Sequence, residues 1–356
     1  MHNAPRSRIP VAVLGATGAV GQTFVELLAH HPWFELAELA ASERSAGRRY
    51  GDAARWIGGA MPDGIADREV VASDPSFVRS PIVFSALDAS AAGEIEPLFA
   101  RAGRLVLSNA RNFRMDEDVP LVIPEVNGAH LSLLVTQRER RGWKGGIVTN
   151  ANCIATVIAL ALAPLHERFG VRRVFAMTMQ AVSGAGYPGV PSLDILGNVI
   201  PYIAEEEPKI ERELPKLLGR LDGDAISMAE FTVSAHANRV PVIHGHTACL
   251  SLKLRDHATP AQATEAFNQW RGEPGVAGLP SAPARPLVVA SDSARPQPRR
   301  DADTGNGMTV TVGRVRDDPQ LSLRLVAMGH NTIRGAAGGS ILNAELLVAR
   351  GLVTGL

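Results

Sequence analysis

The sequence predicts an α/β protein: a doubly wound parallel sheet, then a second, α+β domain built on a mainly antiparallel sheet. Three observations carry this. Apolar, β-branched runs alternate with helical patterns through the first part of the chain, as expected of a parallel sheet wrapped by crossover helices. The run GATGAVG directly follows the first of these strands and opens a helix. From about residue 153 strand-like segments succeed one another with few helices between them.

Taken in order, IPVAVL (9–14) reads as a buried strand, and the run GATGAVGQTFVELLAHHP that follows carries Val20, Phe24, Leu27 and Leu28 at helical spacing with Pro32 as a stop. Strands are expected at 34–40, 81–86 and 104–108, with a helix over 91–102. Beyond Cys153 an apolar helix covers 154–165, a long strand 173–182 and an amphipathic charged helix 205–218. Further strands are expected at 226–234, 246–254, 308–315 and 321–328. Residues 280–303, rich in Pro, Arg, Ser and Asp, read as a long loop, and 331–347 as a helix entered through GAAGGS.

With 356 residues the chain has room for two domains of about 150 residues each. Thirty-six basic residues balance 36 acidic ones, so the field expected of a nucleic-acid binder is missing and the expected partner is a small molecule. Two cysteines make no disulfide framework, which points to a reducing cytoplasm. No stretch approaches the ~18 apolar residues of a membrane span, and the short polar N-terminus does not read as a signal peptide. Only four of the basic residues are lysines (144, 209, 216 and 253), which makes each worth attention.

Gly15, Gly18 and Gly21 permit a tight turn, close approach of backbone to a pyrophosphate, and close packing of helix on strand, while the helix start supplies unpaired N–H groups. This makes the first domain Rossmann-like. After the second strand, Ser42, Arg44 and Ser45 offer hydroxyls and a guanidinium where an NAD site usually has a carboxylate. They favour NADP, although Glu43 lies among them. In TNANCIAT, Cys153 sits at the first turn of the apolar helix, where the helix dipole is expected to lower the thiol pKa and favour a nucleophilic thiolate. Cys249, inside TACLSLKL, reads as a packing residue. HGHT offers His244 and His246 as partners for the thiol, and Arg239 upstream offers a planar fork for a carboxylate. No metal site is expected.

Together GATGAVG, SERSAGRRYGD, LVIPEVN, NANCIAT, QAVSGAGYPGVPSLDILGNVIPYI, NRVPVIHGHT and GHNTIRGAAGGSILNAEL resemble the aspartate-semialdehyde dehydrogenases, most closely their archaeal and fungal branch. The resemblance runs from about residue 10 to 350. It implies NADPH-dependent reductive dephosphorylation of L-aspartyl-4-phosphate to the 4-semialdehyde, a step toward lysine, threonine, methionine and isoleucine. It also implies residues 1–152 plus 332–356 as the NADP-binding domain, residues 153–331 as the catalytic and dimerisation domain, and a homodimer or homotetramer.

By motif position, the resemblance makes Cys153 the acyl-accepting nucleophile and His246 the acid/base. Arg239 would meet the substrate α-carboxylate and Gln180 would position the substrate. Asn152, Arg114 and Lys209 would handle phosphate, and Glu205 or Glu206 the substrate amine. Thr17, Gly18 and Val20 would lie at the pyrophosphate, with Ala19 and Gly21 in the same turn. Ser42, Arg44 and Ser45 would lie near the 2′-phosphate and Ser85 along the cofactor edge. Ser183, Gly184 and Asn331 would lie near the nicotinamide. The chain departs from the family in having Ala151 where proline is usual and His244 where the residue is often acidic. Pro208 leaves the register of the charged helix open, and EEEPKIERE is also readable as an ordinary solvated face. The rival readings are a malonyl-CoA reductase or other acyl reductase of the same fold, and a non-catalytic dinucleotide-binding protein.

Overall fold

The computed structural model describes residues 5–353. Seven strands form the first sheet: β1 Ile9–Leu14, β2 Phe34–Ala41, β3 Val70–Ala72, β4 Ile82–Ser85, β5 Leu105–Ser108, β6 Leu121–Val122 and β7 Gly146–Asn150. Their order is β3-β2-β1-β4-β5-β7-β6 and every neighbouring pair is parallel. Strand order reverses between β1 and β4, so the crevice where such sheets bind nucleotides opens at the glycine loop after β1. The predicted Rossmann-like half is therefore present.

The second part holds β8 Val171–Gln180, a separate ribbon of β9 Arg220–Asp222 and β10 Ala225–Ser227, then β11 Thr232–Arg239, β12 His246–Leu254, β13 Leu287–Val289, β14 Val310–Asp317 and β15 Leu323–Gly329. Its main sheet runs β11-β8-β12-β15-β14-β13. The mainly antiparallel expectation needs correction, because the sheet is mixed. The β8–β12, β12–β15 and β15–β14 pairs are antiparallel, but both edge pairs, β11–β8 and β13–β14, are parallel. A parallel neighbour requires a crossover, and the chain between β8 and β11 makes one through the Glu206–Leu217 helix.

Other differences have local causes. The strand expected over 226–234 is broken between β10 and β11, because the chain at 228–231 leaves the sheet, with the Ala229 N–H donating to the Pro215 carbonyl (2.9 Å) and that of Phe231 to the Ala229 carbonyl (3.1 Å), while Gly223 (φ 60°) turns β9 back onto β10. The excursion over 280–303 contains β13 and a short Pro298–Asp301 helix. The C-terminal helix begins as a π turn, Ile333–Ala337, before continuing as the α-helix Gly338–Ala349. Single π turns gather at functional sites, and this one lies against the nucleophile turn described below.

Two buried helices position the site. The Cys153–Phe169 helix is apolar on nearly every face because it is enclosed, packing with Leu250, Leu252 and Leu325 of the second sheet. The Gly338–Ala349 helix returns to the first sheet, where Ile341, Leu342 and Leu346 share a core with Ile9, Val11 and Phe84. Arg334 at its entry forms a buried two-bond pair with Glu125 (2.8 and 2.6 Å). Among the described residues no helix is long and apolar enough to cross a membrane.

Candidate active site

The three glycines of the first loop answer three different constraints. Gly15 adopts φ 68°, and a Cβ there would lie 2.6 Å from the Ala86 carbonyl oxygen. A Cβ on Gly21 would lie 2.2 Å from the Gly15 carbonyl oxygen, so the helix can pack on the turn only as glycine. Gly18 is exposed, with only the Gly15 oxygen near its would-be Cβ (3.4 Å), so its outer side is open to a ligand. The helix Ala19–Leu28 that starts there has no side-chain cap on its first N–H groups. Thr17 lends its carbonyl to Gln22 (2.9 Å), and Val20 packs at the edge of the core. Uncapped N–H groups above a glycine cradle fit a pyrophosphate.

Cys153 is the first residue of its helix. Asn152 caps it, its side-chain oxygen accepting from the N–H groups of Ile154 and Ala155 (both 3.1 Å). Cys153 is half-buried as a residue, and the Gly335 position presses on its Cβ: a Cβ on residue 335 would lie 2.7 Å away. The expected lowering of the thiol pKa is not what the surroundings produce. Burial first, and the Glu206 carboxylate second, push it up to about 12, while Arg114, the Ile154 N–H and Arg239 pull the other way without prevailing. The helix start does favour the thiolate, but desolvation and a neighbouring anion outweigh it.

On the sheet side, β8 and β11 end together, with Gln180 paired in register to Arg239. Both are buried. Arg239 donates to the Ala181 carbonyl (2.8 Å) and Gln180 to the Thr178 hydroxyl (3.3 Å). His246, first residue of β12, is fully buried and its Nδ1 accepts the Ala181 N–H (3.0 Å). An amide N–H is only a donor, so the ring is neutral with its proton on Nε2, which has no partner. Burial, then Arg239 and His330, lower its pKa to about 3. Exposed Gly184 lies over both groups: a Cβ there would be 3.1 Å from His246 Nε2 and from an Arg239 terminal nitrogen.

The charged helix faces the thiol from the other side and is not a solvated face there. It starts at Glu206, which places Pro208 in the first turn, where its missing N–H breaks no helical bond. Glu206 is buried and accepts from the Asn152 side-chain amide (2.9 Å) and from Lys209 (3.2 Å). Glu205 points outward toward exposed Arg111 (3.9 Å). The register is thereby fixed: Glu206, not Glu205, faces the site. Arg114 is buried, donating to Glu213 (2.8 Å) and to the Asn109 carbonyl (2.8 Å), with Nε unpartnered.

Around the nucleotide crevice, a cavity of about 660 Å³ runs from Ala19, Thr23 and Trp56 to Tyr187, His244 and His330. Ser183 and Asn331 meet at its inner end (2.8 Å), and Asn331 accepts the Gly245 N–H (2.9 Å). Ser42, Arg44 and Ser45 form a turn after β2 in which Arg44 is exposed and makes no hydrogen bond or ion pair among the described residues. Ser85 is placed differently from expectation. Its side chain is sealed from solvent, with the hydroxyl making no hydrogen bond among the described residues, and its carbonyl is taken by Asn109 (3.1 Å). Its place at the end of β4 is as expected, but its hydroxyl does not line the crevice.

Several participants carried no sequence signal. Glu213 lies two turns beyond Glu206 in a helix rich in acids, and accepts both from Arg114 and from the Asn152 backbone N–H (2.6 Å). His330 stacks on His244 with ring centroids 4.9 Å apart. Gly335 belonged to a small-residue run that announced only close packing. Among the described residues no group of three or more His, Cys, Asp or Glu side chains is arranged to hold a metal ion.

Comparison with known proteins agrees with this geometry. Residues 10–134 match the family model of the semialdehyde dehydrogenase NAD binding domain, and residues 162–334 that of the semialdehyde dehydrogenase dimerisation domain. The aspartate-semialdehyde dehydrogenase of Methanothermobacter thermautotrophicus is 52% identical over 343 residues, covering 95% of this chain and 99% of the relative. That of Archaeoglobus fulgidus is 50% identical over 347 residues, covering 97% and 100%. The solved structure of the Candida albicans enzyme with NADP superposes with a TM-score of 0.89 at 40% identity, over 98% of this chain and 100% of that one. With a parallel nucleotide sheet, a cysteine-headed helix and near-full-length relatives all in agreement, the chain belongs to the aspartate-semialdehyde dehydrogenase family.

Proposed function

We propose that this protein catalyses the NADPH-dependent reductive dephosphorylation of L-aspartyl-4-phosphate to L-aspartate-4-semialdehyde, through a thioester on Cys153. The observation that carries the reading is Cys153 at the head of a buried helix, within reach of the charges of Glu206, Arg114 and Arg239, with Lys209 paired to Glu206 and His246 beside Arg239. The substrate bears a carboxylate, an amine and a phosphate. Arg239 presents a fork to the carboxylate, Glu206 an acceptor to the amine, and Asn152, Arg114 and Lys209 donors to the phosphate.

Binding such an anion changes the electrostatics that now favour the neutral thiol. Lys209 is the lone described cation hydrogen-bonded to Glu206, and a substrate ammonium arriving there offsets the charge that raises the thiol pKa. Cys153 sulfur forms a bond to the acyl carbon as the carbon–oxygen bond to phosphate breaks, and the thiol proton leaves on the departing phosphate as hydrogen phosphate. His246 presents Nε2–H to the carbonyl oxygen and stabilises the negative charge that develops there. In this tautomer the ring donates; to accept the Cys153 proton it must first give up the Nε2 proton. A nicotinamide cofactor held in the crevice would supply the hydride for the thioester carbon. The carbon–sulfur bond then breaks, the aldehyde leaves, and the Cys153 thiolate takes up a proton from solvent.

Gly15, Gly18 and Gly21 with the uncapped helix start hold the pyrophosphate, Ser42, Arg44 and Ser45 the 2′-phosphate, and Ser183, Gly184 and Asn331 the nicotinamide end. Residues 1–152 plus 332–356 act as the NADP domain and 153–331 as the catalytic domain. The face of the second sheet carrying exposed Phe175 and Met177 receives a second copy, making a homodimer. The deciding experiment follows NADPH formation from aspartate semialdehyde with phosphate and NADP. Cys153→Ser is expected to abolish it, and retention of near-native turnover would end the proposal.

A further inference from the structure

The anion-binding Arg114 lies on a segment with little structure of its own. Residues 109–119 connect β5 to β6 through irregular turns, and several of their backbone hydrogen bonds are long, with Arg114 N–H to Arg111 at 3.4 Å and Val119 N–H to Asp116 at 3.3 Å. From outside, Arg141 grips Asp116 (2.7 Å) and Asp118 (2.5 Å). From inside, one side chain holds the backbone. Lys216, near the end of the Glu206–Leu217 helix and 2% exposed, donates all three of its ammonium hydrogens to carbonyls of this segment. The acceptors are Arg114 (2.7 Å), Asp116 (2.7 Å) and Val119 (2.9 Å). The helix that presents Glu206 and Lys209 to the site is thus fastened to the segment that presents Arg114. Glu213, one turn before Lys216, completes the clamp by taking the Arg114 guanidinium and the backbone N–H beside Cys153.

We infer that Lys216 is a positioning residue for phosphate recognition, fixing the Arg114 segment against the Glu206–Leu217 helix so that the guanidinium stands at a set distance from Cys153. The inference rests on Arg114 handling phosphate, as proposed above. Lys216 itself touches neither substrate nor cofactor, since its three donors are fully engaged. Without it, three buried carbonyls lose their partner and the segment moves to find water. The Glu206–Leu217 helix keeps its own hold on β11, where Glu207 and Glu211 accept from the Ala237 (3.0 Å) and Ala235 (3.1 Å) N–H groups, so losing Lys216 frees the Arg114 segment and leaves the Arg239 and Gln180 end in place.

The test measures KM for phosphate and for aspartate semialdehyde separately, together with kcat and Tm, for Lys216→Met, Arg114→Leu and the double variant. Displacing a binding group by about 1 Å costs roughly a hundredfold, so Lys216→Met is expected to raise the phosphate KM between about tenfold and a hundredfold. The semialdehyde KM should stay within about twofold, because uniform loss of binding at one end shows in that ligand alone. The double variant should be no worse for phosphate than Arg114→Leu, since two residues acting through one contact are not additive. If Arg114→Leu leaves the phosphate KM unchanged, the assignment of Arg114 fails first. If Arg114→Leu raises it and Lys216→Met does not, or if Lys216→Met raises both KM values alike, the positioning role of Lys216 is overturned. Should Lys216→Met not fold, Lys216→Gln, which keeps a donor, is measured in its place against the same criteria.

Discussion

Gly335→Ala tests whether the C-terminal π turn sets the position of the nucleophile. The added Cβ would stand 2.7 Å from the Cys153 Cβ, 2.8 Å from its Cα and 3.2 Å from its carbonyl oxygen. Ordinary contact begins at 3.4 Å, so the nearest pair must separate by the difference of 3.4 and 2.7, which is 0.7 Å. Neither side yields cheaply. Gly335 follows Arg334, which the buried Glu125 pair holds, and Cys153 heads a helix enclosed by the core. Overpacking of this kind costs about 1–3 kcal/mol, which lowers Tm measurably. A nucleophile displaced by several tenths of an ångström leaves its near-attack geometry, and kcat is expected to fall by about tenfold to a hundredfold. Steady-state NADPH formation and a thermal melt read the two effects. A folded Gly335→Ala protein with native kcat would refute the claim that this contact positions the thiol.

Three further outcomes follow from the electrostatics. With the thiol pushed up to about 12, alkylation of Cys153 in a Cys249→Ser background should keep accelerating beyond the ordinary thiol pKa of about 8.5; a plateau below that would contradict it. Arg44→Glu places an anion where the 2′-phosphate is proposed to bind, and should raise the KM for NADP by about tenfold to a hundredfold while leaving that for NAD nearly unchanged. Equal effects on both cofactors would remove Arg44 from that role. Glu96, whose pKa burial raises from 4.5 to about 7 against the pull of Ser85, Ser108 and Arg114, binds its proton more tightly folded than unfolded. Its stabilising contribution is complete below pH 4.5 and is lost as pH rises through about 7, a change on the order of 3 kcal/mol. Glu96→Gln should flatten that fall in denaturant melts, and an unchanged slope would show that Glu96 is not its source.

The features legible in the sequence were those written in contiguous residues. GATGAVG declares a tight turn and a helix start directly after a strand, and NANCIAT declares a polar turn and an apolar helix. Both local structures appear in place, because tight turns and caps are decided by neighbours along the chain. The mixed sheet was harder. The β8–β11 pairing joins strands separated by a whole helix, and nothing in either strand's alternation tells a parallel neighbour from an antiparallel one.

Residue order alone thus supplies the chemical groups and their local settings: a glycine cradle, a cysteine at a helix start, two candidate histidines, an arginine and a charged helix. How those groups stand toward one another comes from the fold. It selected Glu206 over Glu205, because the helix register turns one carboxylate inward to Asn152 and the other out to Arg111. It made His246 a neutral donor, because the Ala181 N–H occupies Nδ1. It sealed the Ser85 hydroxyl away from solvent and from the crevice. It raised the thiol pKa that the helix start alone would lower, because burial and a carboxylate from residues more than fifty positions away outweigh one helix turn. Desolvation and pairwise charge depend on distances in space, and chain order does not encode those distances until the fold closes.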